Sequence, residues 1–156
     1  MPADERLPLL ALDVDGVVVL DEPTPEEALE YSVTAWGRWR REIRVPADAA
    51  RIIARLSEHF EIVWVSSWGH NAHTALAPIL GLPDEPWTFL PVQFSKAEAV
   101  ERYADGRPWI LIEDAVASGS TAEWGAHVIS VDPTRGLTDV DPDDVIARAA
   151  AMPTPA

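Results

Sequence analysis

Asp13 and Asp15 interrupt an otherwise apolar run, with Leu9-Leu10-Ala11-Leu12 before them and Val17-Val18-Val19 after. On a continuing strand the two side chains would share a face. Gly16 follows directly, and a turn there lets them diverge around one small ligand. Two carboxylates this close repel unless a cation or a shared proton relieves them. A second acidic pair, Glu113-Asp114, closes the apolar run Trp109-Ile110-Leu111-Ile112. Oxygen ligands without sulfur or clustered histidine suit a hard divalent ion, magnesium above all. The plain alternative is solvated turn residues. It explains one isolated acid better than two acidic interruptions of apolar runs.

Lys96 is the next group. The chain carries 12 basic residues, and Lys96 is the single lysine among them. It follows Ser95, which with Glu98 forms a capping box, so it falls in the first turn of a helix. A cation is mildly unfavourable there, by roughly 0.3–1 kcal/mol. A helix N-terminus with an added ammonium makes an anion site, and a compact charge can bridge a carboxylate and a phosphate oxygen. Ser66, after the apolar run Ile62-Val63-Trp64-Val65, offers a hydroxyl and a backbone N–H to an oxyanion. Ser67 can share that role. Trp68, His70 and Asn71 come next and are candidate substrate contacts. Trp36, Trp39 and Trp87 are further candidates for an aromatic wall, with core packing as the alternative for each. His70 and His73 have helical spacing, but no third zinc ligand is evident. Arg38, Arg40, Arg41 and Arg44 would meet a phosphate or form a solvated helix face.

Elements that place these groups follow from the hydrophobic pattern. Short apolar runs without alternation, at 9–12, 61–65, 109–112 and 126–131, predict strands buried on both faces. Amphipathic or capped segments at 47–59, 71–80, 95–104 and 141–151 predict helices, the second interrupted at Pro78 and stopped at Gly81. A further helix is expected over residues 26–41. Alternating strands and helices imply an α/β fold, a three-layer Rossmann-like parallel sheet with helices on both faces. Ligands in such folds bind at the carboxyl ends of the strands. That is where Asp13, Asp15, Ser66, Glu113 and Asp114 fall.

The chain has 156 residues, of which 47% are hydrophobic and 24% charged, as expected for one globular domain. It has no cysteine, which excludes disulfides, thiolate metal sites and a cysteine nucleophile and fits a cytoplasmic location. No apolar stretch approaches the ~18 residues of a membrane span, and the N-terminus lacks the pattern of a signal peptide. The net charge of -14 repels polyanions and argues against nucleic acid as a partner without a local basic groove.

In order, the chain runs strand, Asp-x-Asp-Gly; strand, Ser; helix with Lys; strand, Glu-Asp. This order resembles the haloacid dehalogenase (HAD) superfamily of phosphohydrolases, with residues 9–17, 62–66, Lys96 and 110–114 similar to its four motifs. Val63-Trp64-Val65-Ser66-Ser67-Trp68-Gly69-His70-Asn71-Ala72 is also similar to small actinobacterial HAD-domain proteins without a large cap. The resemblance implies a HAD-like fold over a single domain (residues 1–156, tail 152–156 frayed). It also implies a magnesium-dependent phosphatase acting on a small phosphate monoester through an aspartyl-phosphate. Asp13 would be the nucleophile and Asp15 the acid and base, its carbonyl also on the metal. Ser66 would hold a phosphoryl oxygen, and Lys96 would offset charge. Asp13, Asp15 and Asp114 would hold Mg2+, with Glu113 direct or water-mediated. Glu113 and Ser118 depart from the usual fourth motif, leaving open which of Glu113 and Asp114 takes the metal. With only 17–46 and 67–95 available for insertion, a flap from residues 20–45 is expected rather than a cap domain. The alternatives are a polynucleotide-end phosphatase and a non-catalytic module on the same scaffold. A receiver domain has the acids and lysine in a different order.

Overall fold

A computed structural model describes residues 6–35, 38–91, 95–114 and 124–153. Among these, four strands form one parallel sheet: β1 (Leu9–Leu12), β4 (Glu61–Trp64), β5 (Trp109–Asp114) and β6 (Val128–Val131), in the order β4-β1-β5-β6. β1 is central, with Leu12 level with Trp64 on one side and Ile112 on the other. Its four residues are 0% exposed. A strand flanked by neighbours and covered on both faces has no use for polar alternation, which is why its sequence is unbroken LLAL.

Alternation across β1 divides the core. Leu10 and Leu12 share a cluster with Ile110, Ile112, α1 (Ala49–Ser57), α2 (Asn71–Leu80) and α4 (Pro142–Ala150). Leu9 and Ala11 share the opposite cluster with Val63, Val65, Leu111 and α3 (Lys96–Ala104). Both faces therefore carry helices, as the pattern predicts. Ser95 caps α3, its hydroxyl accepting from Glu98 N at 3.2 Å, and Gly81 ends α2 with a left-handed φ of 68°. Pro78 does not interrupt α2, because the helix continues through it. The fourth sheet strand starts at Val128 rather than Ala126; residues 125–127 form a 3-10 turn.

The expected helix over 26–41 is absent. The segment contains β2 (Leu29–Ala35), paired antiparallel with β3 (Trp39–Val45). The reason is a period of two that helical spacing obscures. Val33, Ile43 and Val45 are buried, while Arg40, Glu42 and Arg44 between them are exposed. β-branched and aromatic residues add strand preference. Leu20 N donates to Arg44 O at 2.8 Å, fastening the hairpin to the loop after β1.

Candidate functional site

Backbone geometry at the end of β1 sets the two aspartates apart. The N–H groups of Val17, Val18 and Val19 all donate to Val14 O, coiling the chain tightly, while Gly16 takes a φ of 81°. A Cβ on Gly16 would stand 2.7 Å from Asp114 Cβ and 2.9 Å from Asp114 Oδ2, so only glycine lets the β5 acid approach this loop. Behind the turn, Asp21 N donates to Pro133 O, and Leu137 N to Val17 O, both at 2.9 Å.

Asp13 is 4% exposed. Its Oδ1 accepts from Val14 N at 2.8 Å, and its Oδ2 from Lys96 Nζ at 2.7 Å. Burial pushes its carboxyl above the ordinary aspartate range. The Lys96 bond and charge and the Val14 N–H oppose this, and the nearby Asp114 charge adds to it. Asp13 continues the side of β1 that faces α3, where Lys96 begins the helix. The unfavourable place of a cation at that terminus is offset by a buried carboxylate.

Asp15 has a different partner. Trp68 Nε1 donates to both of its oxygens, at 3.3 and 3.2 Å. The two acids therefore diverge from Gly16, as the spacing allows. Ser66 is 6% exposed and accepts from Trp68 N at 3.2 Å. Asp114 lies beside Gly16. Glu113 is 1% exposed, and strand alternation sends it toward the opposite face from Asp114.

A model of the HAD domain in Swiss Army Knife RNA repair proteins matches residues 9–141. The chain belongs to this HAD family. No curated protein matches it. The matched span of this HAD domain begins with the first residue of β1 and contains all four sheet strands, Lys96 and both acidic pairs.

The HAD site does not gather all four predicted metal ligands. Among the described residues, no three carboxylate, histidine or cysteine side chains form a cage. What stands there is one side of a site, with Asp114 against Gly16 and its charge acting on Asp13. Magnesium commonly takes only one or two carboxylates and completes its shell with water and substrate phosphate. An all-oxygen, sulfur-free set of this kind fits it.

The other expected contacts are placed differently from one another. Trp68 is 1% exposed and is no open wall for a ligand. Trp87 packs on Trp64 at 5.4 Å, serving the core. His70 and Ser67 are exposed, whereas Asn71 is 7% exposed. His73 is not half of a zinc pair: Nδ1 accepts from Trp87 N at 3.2 Å, and Nε2 reaches Pro83 O at 2.8 Å, a network that assigns the proton to Nε2. Trp36 and Ser118 lie outside the described residues. Sequence reasoning named Arg41 as a phosphate contact or part of a solvated face and missed its place over Trp68, with the guanidinium 5.0 Å from the ring centroid. Its signal was the two-residue period of 39–45, which places Arg41 on the same strand face as Ile43.

Proposed function

We propose that the chain is a magnesium-dependent phosphohydrolase that cleaves a phosphate monoester through an aspartyl-phosphate. The observation that carries this is Asp13, a buried carboxylate at the end of the central strand, ion-paired to the single lysine at 2.7 Å. The membership in the HAD family supports it. In the proposed reaction, Asp13 attacks phosphorus while Asp15 gives its proton to the leaving oxygen. Asp15 then takes a proton from water, whose oxygen attacks phosphorus and expels Asp13. Lys96 offsets the charge on Asp13 and the phosphoryl oxygens, and the Ser66 hydroxyl and the exposed Ser67 receive one of those oxygens. Asp13, the Asp15 carbonyl and Asp114 would hold Mg2+, with Glu113 supporting from behind. The ion would supply positive charge at the phosphoryl group.

Hydrolysis of a phosphomonoester panel, with and without magnesium, tests this. Activity should require the ion and vanish in Asp13→Asn; full activity in that variant would remove Asp13 as the nucleophile.

A second reading, a phosphatase of RNA ends, is favoured by one comparison and one feature. The family is described from RNA repair proteins. The hairpin also carries Trp39, 64% exposed, on the same strand face as Arg41. An exposed indole is a stacking platform for a base. Against it stand the net charge of -14 and the pairing of Arg44 with Glu30 at 2.8 Å. Phosphorylated oligoribonucleotides and mononucleotides in the same panel separate the two.

A further inference from the structure

Trp68 poses a problem that core packing alone does not answer. Its ring is 1% exposed and belongs to the larger apolar cluster, where phenylalanine would serve nearly as well. Indole has a single polar atom, a donor that must find an acceptor when buried. Here that acceptor is Asp15, approached almost equally at both oxygens, at 3.2 and 3.3 Å. A donor shared between two carboxylate oxygens fixes the direction in which the carboxyl group points.

Trp68 is itself held at three points, two on its backbone and one on its ring. Trp68 N donates to Ser66 Oγ at 3.2 Å, and Asn71 N donates to Trp68 O at 3.0 Å. Arg41 covers the ring at 5.0 Å. The loop after β4, the start of α2 and the hairpin thus all hold this residue.

We propose that Trp68 is a positioning residue for Asp15, setting the carboxyl group so that its proton meets the leaving oxygen. The proposal rests on the assignment of Asp15 as general acid. In that step the Asp13 oxygen bonds to phosphorus, the bond from phosphorus to the leaving oxygen breaks, and the Asp15 proton moves to that oxygen. Misplacement of such a group by about 1 Å costs on the order of 100-fold. An aryl leaving group needs no proton, whereas an alkoxide does, so the loss depends on the substrate.

The test compares kcat/KM for para-nitrophenyl phosphate and glycerol phosphate in the wild type, Trp68→Phe, Asp15→Asn and the double variant. Trp68→Phe should lose roughly 10–100-fold on the alkyl ester and only a few-fold on the aryl ester. It should cost nothing further once Asp15 is Asn. Equal losses on both esters, or full additivity, would reduce Trp68 to packing. Full alkyl activity in Asp15→Asn would instead overturn the acid assignment beneath the proposal. A readout independent of turnover accompanies these: the indole N–H resonance of Trp68 in a nitrogen–proton correlation spectrum. It should move in Asp15→Asn while the other indole signals hold; an unmoved resonance refutes the contact.

Discussion

Replacing Gly16 by alanine tests the placement of Asp114, because the cost can be worked from the structure. Two effects add. The first is a φ of 81°, which an L side chain resists by about 1–2 kcal/mol. The second is crowding. The new methyl would lie 2.7 Å from Asp114 Cβ and 3.0 Å from Pro133 Cβ, against an optimal carbon separation of about 3.5–4.0 Å. Overpacking of this kind costs about 1–3 kcal/mol, giving a total of roughly 2–5 kcal/mol. Gly81 supplies the control, since its φ is 68° and a Cβ there meets nothing within 4 Å. Gly81→Ala should therefore cost only the conformational part, about 1 kcal/mol after the loss of unfolded-chain freedom is counted. Equilibrium urea unfolding of the two variants isolates the crowding as their difference. A difference under about 0.5 kcal/mol, within the usual spread of neutral changes, would refute the close approach of Asp114 to the turn. Because the added methyl displaces Asp114, magnesium activation of Gly16→Ala should also need more ion than that of Gly81→Ala.

Asp13→Asn should raise stability at neutral pH while abolishing turnover. Because burial holds the Asp13 carboxyl above its unfolded value, wild-type stability falls as pH rises through the folded value, so the advantage of Asn should vanish in acid and appear above that value in pH-dependent melting curves. Arg107→Met should cost about 2–4 kcal/mol in urea unfolding, because the buried guanidinium bonds Ala104 O at 3.0 Å, Leu7 O at 3.1 Å and Glu61 at 2.8 Å. Burial raises the Glu61 carboxyl, but the bonds from Arg107 and Tyr103 outweigh it and hold the group low. The acid-side loss of stability should therefore be shallower in Arg107→Met. His73→Phe should cost about 2–3 kcal/mol by orphaning Trp87 N and Pro83 O, with no change in the metal dependence of activity.

The sheet was readable because its four strands are buried on both faces, and a run such as LLAL or WILI has few other uses. The divergence of Asp13 and Asp15 was readable from Gly16, and Lys96 from being the single lysine of the chain. The hairpin was not readable, since its apolar period is carried by few residues and arginines fill the positions between. Trp68 misled for a different reason. A tryptophan beside two serines at a strand end has the composition of a binding wall, and only the positions of Arg41 and Asp15, distant in sequence, turn its ring inward. Similarly, Glu113 and Asp114 are equivalent by type, and strand alternation with the proximity of Gly16 distinguishes them.

The pairing of Lys96 with Asp13 has a practical side. Apart from histidine, every other basic side chain of this sequence is arginine, so reagents that acylate or alkylate side-chain amines have a single target, 21% exposed and bonded to Asp13. Lysine methylation for crystallisation, amine coupling to a sensor surface and lysine cross-linking are ordinarily spread harmlessly over a protein surface. In this molecule the side-chain part of each reaction would fall on one ion pair.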